Sequence, residues 1–166
     1  MIKKGVVNAA SNPFTIKIKG RGGHGAYPHM AVDPIVMASQ VVLGLQTIVS
    51  REIKPVNPAV VTVGSINGGT AQNIIPDEVI LKGVIRTMTL EDRAYAKERL
   101  REIATSICTA MRGECEIDIE ESYPCLYNNS SVVDLVTEAA KEIIGSQMLR
   151  NKKHQSLELK ALHILP

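Results

Sequence analysis

The residues most able to do chemistry stand in one run, Gly20-Arg21-Gly22-Gly23-His24-Gly25-Ala26-Tyr27-Pro28-His29. Glycines on both sides of His24 let the backbone take positive φ and let another group approach closely. A phosphate loop is one such arrangement, but the run lacks G-K-[ST] and the next helix starts only about ten residues later. A turn that His24 and His29 merely decorate is the blander alternative, and the glycine framing between strand and helix is too specific for it. Cys108, Cys115 and Cys125 are odd in number and fit no C-x-x-C spacing. They read as reduced thiols of a cytoplasmic protein, not as a zinc site, which wants four closely set ligands.

The elements that must position this run follow from periodicity. Phe14, Ile16 and Ile18 alternate with Thr15, Lys17 and Lys19, which predicts a strand with one buried face leading into the glycines. Asp33 before Pro34 is an N-cap with a first-turn proline. Ile35, Ala38, Val42, Leu45 and Val49 then hold helical spacing to about Ser50, and Pro55 and Pro58 end that helix. Val60 to Val63 is β-branched throughout and predicts a strand; Asn67-Gly68-Gly69 is a loop, and a further strand runs from about Glu78 to Met88. Thr89 and Asp92 resemble a capping box, with Asp in place of the usual Glu or Gln. Leu100, Ile103, Ala104, Ile107 and Met111 carry the second helix, and Gly113 stands where a glycine cap belongs. Cys115, Ile117 and Ile119 alternate with acids to Glu121 as a fourth strand.

The order β-α-β-β-α-β predicts an α+β, ferredoxin-like sandwich over residues 10–122: a four-stranded antiparallel sheet with two helices on one face. One of its edge strands must be covered, charged or paired. Val60 to Val63 carries no charge, so it is the candidate for pairing with a second copy. Tyr123 to Asn129 is a loop. One extra C-terminal helix, from near Ser131 to Gly145, buries Val132, Leu135, Val136, Ala139 and Ile143, and needs a surface outside the sandwich to do so.

The whole chain of 166 residues suits one domain, or one domain and part of another. An apolar share of 45% with a net charge of +2 describes a soluble globular protein and gives no argument for nucleic acid or an acidic membrane as partner. Lys17, Lys19 and the later Glu114, Glu116 and Asp118 alternate with apolar residues, as solvated strand faces do. There is no Trp and Phe14 is the only Phe, so base-stacking platforms have almost no raw material. No apolar run could span a bilayer, and Met1-Ile2-Lys3-Lys4 lacks the apolar stretch of a signal peptide.

The run around His24 resembles the lid domain of the hippurate hydrolase and N-acyl-amino-acid amidohydrolase family, within the clan of two-metal aminoacylases and carboxypeptidase G. It matches that family's G-[KR]-G-G-H-[GA]-A-x-P-H signature in full. G-G-x-x-x-N-I-I-P follows as Gly68 to Pro76, then Gly83-Val84-Ile85-Arg86-Thr87. Tyr123-Pro124-x-Leu126-Tyr127-Asn128 resembles the family's return to its catalytic domain, with Cys125 where proline is more usual. The likeness covers roughly residues 5 to 146. It implies that His24 reaches across a homodimer and donates a hydrogen bond to the oxyanion of the attacked amide. It also implies that Asn73 and Arg86 hold the substrate's carboxylate, for which the planar fork of Arg is well matched. A surface ion pair for Arg86 and an Asx-type turn for Asn73 are the simpler alternatives, and His29 takes only a turn or interface role.

The resemblance further implies two divalent ions, manganese or zinc, in a complete enzyme. Their His, Asp, Glu and Cys ligands come mostly from a catalytic domain before the lid, and no such cluster stands in this sequence. His154 and His163 match no motif of the family. The expected reading is therefore a lid and dimerisation domain acting on N-acyl amino acids or related amides, inactive alone, with residues 123–146 as the start of the returning catalytic segment. Its homodimer would form through the first helix and the strand near Val60 to Val63. The alternative is a non-enzymatic homodimeric module of the same fold. Residues 147–166 show no clean period and are expected to be non-native or disordered. Codons for Leu157 to Leu165, read from each third base, permit the family's G-V-E-S-F-A-Y-F, as a frameshift near Gln147 would require.

Overall fold

The computed structural model describes residues 3–145. The expected tail, with His154 and His163, lies outside the described residues. In chain order the elements are β1 (Gly5–Asn8), β2 (Ala10–Lys19), β3 (Gly23–His24), α1 (Pro34–Thr47), β4 (Ala59–Asn67), β5 (Ile74–Ile75), β6 (Glu78–Thr87), α2 (Leu90–Ala110), β7 (Glu114–Ile119), β8 (Leu126–Asn128) and α3 (Ser130–Ile144). The main sheet is antiparallel with strand order β4-β6-β2-β7. The two helices connecting its strands pack on one face, giving the ferredoxin-like sandwich.

The alternation seen in β2 does the sorting. Phe14, Ile16 and Ile18 turn inward with Val79, Leu81 and Ile85 of β6, against Met37, Val41, Leu45 and Ile48 of the first helical segment and Ala96, Leu100, Ala104 and Cys108 of α2. Each fully buried aliphatic side chain here contributes roughly 1.5–3 kcal/mol of transfer free energy. The opposite face is polar, with ion pairs Lys17–Glu78 (2.8 Å) and Lys19–Glu116. The strand β2 begins four residues before Phe14, because Pro13 sits where a missing N–H does no harm. Its carbonyl accepts from Glu120 N at 2.9 Å beyond the last β2–β7 ladder pair, Phe14 with Ile119, so its nitrogen faces no strand carbonyl that needs it.

Two expectations need correction. The buried stripe of α1 runs through Pro34, Met37, Ala38, Val41 and Leu45, while Ile35 is exposed. The helix is apolar on nearly every side, so two stripes fit its spacing and only packing chooses. Its end is a wide turn over Ile48–Glu52, closed by Ile53 N to Ile48 O at 2.9 Å. At the end of α2 the left-handed residue is Arg112 (φ 68°), not Gly113. Gly113 N reaches Cys108 O at 2.8 Å and Arg112 N reaches Thr109 O at 3.0 Å, so Gly113 occupies the second position of a Schellman turn. It is glycine for space: a Cβ there would lie 2.4 Å from Met37 Sδ and 2.8 Å from Lys19 O. The apolar stripe of α3 lies uncovered by the described residues, with Leu135 at 72% and Ile143 at 82% exposure, so its covering surface lies outside the sandwich. Its N-cap, Asn129, accepts from Ser131 N at 2.9 Å.

Two short ribbons escaped the periodicity. The strand β1 pairs with β8, joining the inbound and outbound chain beside α3, and β3 pairs with β5. Three-residue and two-residue strands are too short to show a period. No described helix is long and apolar enough to cross a membrane.

Candidate functional site

The β3–β5 ribbon continues the β2–β6 ladder beyond the main sheet. Lys19 pairs with Glu78, Gly20 N reaches Asp77 O at 2.8 Å, and the next pairs are Gly23 with Ile75 and His24 with Ile74. Gly25 N then bonds Asn73 O at 2.8 Å, so His24 and Asn73 are neighbours across the ribbon. Both side chains are exposed.

The glycines serve close approach rather than positive φ, contrary to half of the sequence argument. None of Gly20, Gly22, Gly23 or Gly25 is left-handed. A Cβ on Gly22 would stand 2.7 Å from Ile75 O and 3.0 Å from Asp77 Oδ1, and one on Gly20 only 2.1 Å from Val32 O. What approaches is therefore the protein's own backbone.

The loop that follows His24 is tied at its base and across its middle. Arg21 N bonds Val32 O (2.8 Å), Val32 N bonds Arg21 O (2.9 Å), and Arg21 Nε bonds Met30 O (3.1 Å). Tyr27 N bonds His24 O at 2.8 Å. The imidazole is oriented from within: Ala26 N donates to His24 Nδ1 at 3.1 Å. An Nδ1 that accepts places the ring proton on Nε2, leaving the exposed Nε2–H as a hydrogen-bond donor. The Tyr27 ring lies 5.8 Å from the His24 ring and 6.3 Å, edge-on, from that of His29, which sits in the short turn Pro28–Met30.

Arg86 is elsewhere. It lies in β6 opposite Ser11 of β2 and Val60 of β4. Eight residues of extended strand separate it from Glu78, about 26 Å, and Asn73 is five residues further still. One protomer brings His24 and Asn73 together and leaves Arg86 at the far end of the sheet.

Sequence reasoning passed over two side chains, one beside His24 and one at the opposite end of the sheet. Asp77 accepts from Gly22 N through Oδ1 at 2.8 Å; its only signal was an acid directly after the Asn-Ile-Ile-Pro run. Arg93 donates to Asn12 Oδ1 (2.7 Å) and Ser122 O (2.7 Å), and Asn12 Nδ2 donates to Glu120 O (2.7 Å), tying the start of α2 to the start of β2 and the segment after β7. The three cysteines are free, and burial, then Cys115 beside it, pushes the Cys108 thiol up to about 12. A thiol so protonated is a core side chain, not a nucleophile. Among the described residues no three His, Cys, Asp or Glu side chains come together as metal ligands, so this part of the chain does not fit a metal centre.

Comparison with known proteins agrees with this architecture. The family described as peptidase dimerisation domain matches residues 8–112. The hippurate hydrolase of Campylobacter jejuni is 40% identical over 146 residues, covering 88% of this chain and 38% of that protein. The N-acetyl-L-cysteine deacetylase of Bacillus subtilis is 40% identical over 139 residues, covering 84% and 33%. Among solved structures, an aminohydrolase from methicillin-resistant Staphylococcus aureus superposes with a TM-score of 0.80 at 34% identity, covering 85% of this chain and 38% of that one. A dinuclear metal binding peptidase of the M20 family from B. subtilis gives 0.72 at 27% identity, covering 95% and 37%. The chain thus spans between a third and two fifths of the length of these relatives. It belongs to the M20 peptidase dimerisation domain family.

Proposed function

We propose that residues 10–122 are the lid and dimerisation domain of a metal-dependent amidohydrolase that cleaves N-acyl amino acids or related amides, and that 123–146 begin the return to its catalytic domain. The observation that carries this reading is His24: exposed, on a tied ribbon beside Asn73, with Nε2–H as donor. When water adds to the amide carbonyl, that donor would meet the negative oxygen; one such donor is worth about 10²–10³ in kcat. Asn73 and Arg86 would hold the substrate carboxylate, the latter through its planar fork. The two divalent ions, manganese or zinc, would be held by residues outside this domain.

Dimerisation would complete the site. The strand β4 is an edge of the sheet and carries no charge over Ala59–Asn67. Beside it, Val36 and Leu43 of α1 are exposed, Leu43 at 64%. Twofold antiparallel pairing of β4 with its copy, centred near Val63, sets Val60 opposite the partner's Ile66. Arg86, one strand in from Val60, then lies about 10 Å from the strand that leads into the partner's Asn67–Asn73 loop. His24 would thus act on a substrate whose carboxylate is held by the other protomer's Arg86.

Alone, the chain would behave as a homodimeric ferredoxin-like module. Light scattering should give a dimer, and added manganese should produce no amidase activity. A monomer at high concentration would refute the dimer; hydrolysis abolished by a chelator would refute the assignment of the metal site to another domain.

A further inference from the structure

We propose that Asp77 is a positioning residue that holds His24 in register, an inference that rests on the reading of His24 as the oxyanion donor. Between the pairs Gly20–Asp77 and Gly23–Ile75, the strand carrying His24 advances three residues while the facing strand advances two. The extra residue makes a bulge. A bulge leaves a backbone group without a ladder partner, and here Asp77 serves both sides of it. Its carbonyl accepts Gly20 N–H, and its Oδ1 accepts Gly22 N–H at 2.8 Å. Arg21, between them, bonds Val32 instead.

The register matters more than the hydrogen bond. Side chains alternate faces along a strand, so closing the bulge by one residue would turn the imidazole to the opposite face of the ribbon. A one-residue slip would also part His24 from Ile74 and Gly25 from Asn73, setting His24 directly opposite Asn73 and changing the placement of the two residues across the ribbon. Little apolar burial pins this ribbon: His24, Gly25, Asn73 and Ile74 are exposed, and Ile75 is only half-buried. The short strands have two ladder pairs between them. The carboxylate is therefore the group that specifies which register is kept. Gly22 is partly exposed and water can serve its N–H, so loss of Asp77 should spare the sandwich and loosen the ribbon alone.

The test uses the 166-residue chain labelled with ¹⁵N. Its His24 ring nitrogens, identified by their absence in His24→Ala, should show the well-separated shifts of a single Nε2–H tautomer above the imidazole's titration range. Asp77→Asn, which keeps an Oδ1 acceptor, should preserve that pattern. Asp77→Ala should move the two shifts toward their average and speed Gly22 amide exchange about tenfold or more, with β6 and α2 amides unchanged. Unaltered His24 shifts and Gly22 exchange in Asp77→Ala would overturn the proposal. Should that variant not fold, a Gly22 amide that exchanges freely in the unmutated chain would overturn it equally. In a complete enzyme carrying this lid, Asp77→Ala should lower kcat about 10–100-fold with KM little changed. If His24→Ala leaves kcat intact there, the role assigned to His24 fails, while the ring shifts still decide what Asp77 does.

Discussion

Mixing two crippled variants should restore activity in a complete enzyme carrying this lid. His24→Ala removes the proposed oxyanion donor, and one such donor is worth about 10²–10³ in kcat, or about 2.7–4 kcal/mol. Arg86→Ala removes the proposed carboxylate fork, which should raise KM. Because about 26 Å of strand separates Glu78 from Arg86, with His24 and Asn73 beyond it, the two residues cannot serve one substrate from one protomer. Paired across β4, one heterodimer site carries both defects and the other carries neither. Random exchange makes half of the dimers heterodimers, so about one quarter of the wild-type sites should return. The assay is hydrolysis of an N-acyl amino acid after co-refolding equal amounts of the variants, with each variant alone as baseline. Residual activity no higher than the mean of the two single variants would refute the crossed arrangement, since sites drawing both residues from one chain gain nothing by mixing.

Three further outcomes follow from the same geometry. Thr62→Lys places like charges about 7 Å apart across an axis near Val63, a repulsion of about 2 kcal/mol at an effective dielectric of 20, so sedimentation should show a dimer about thirtyfold weaker. Arg112→Gly relieves a left-handed non-glycine residue and should raise stability by about 1 kcal/mol, a melting temperature gain of about 3 °C read by circular dichroism. Glu52 accepts from Arg99 Nε (2.7 Å) and Tyr95 OH (3.1 Å), and Arg99 beside it holds its carboxyl below the usual range. A depressed folded-state value means stability that is present above the unfolded value of about 4.3 and lost as pH falls through the folded one. Glu52→Gln should therefore cost about 1 kcal/mol at neutral pH and progressively less below about pH 4 in acid-unfolding curves.

Much of this molecule is legible in its residues, and the limits have physical causes. The inward rows of β2 and α2 announce themselves because a strict period of two, or a spacing of three and four, leaves one assignment of faces. The α1 stripe was displaced because Pro34-Ile35-Val36-Met37-Ala38 is apolar in sequence order, so local pattern cannot say which residues meet the sheet. The ribbon of β3 and β5 has no period to read; its hydrogen bonds are specified by glycines and one acid. The glycine framing has a different reason from the one its sequence suggests: the loop is glycine-rich because its own strands crowd it, and that crowding holds His24. Arg112 shows the complementary failure, since a glycine one residue later looks like the left-handed cap until the backbone is seen.

The strand order explains why such a domain would be both a dimeriser and a contributor of site residues. In the order β4-β6-β2-β7, β6 is, among the described residues, the strand that touches β4 and also runs on into the ribbon beside His24. It therefore carries Arg86 near one end of the free edge and hands over to Asn73 at the other. A single copy must keep those ends apart by the full length of the strand. An isologous antiparallel partner would superimpose opposite ends at each side of the axis, so the separation that leaves one protomer incomplete would supply two complete sets to the proposed pair. Parallel pairing would align like ends and complete neither, and a large offset would carry Arg86 away from the partner's ribbon. In the proposed dimer the absence of charge along β4 and the tying of the His24 ribbon would be two requirements of one arrangement: the first would let the edges meet, and the second would keep the imidazole where the other copy needs it.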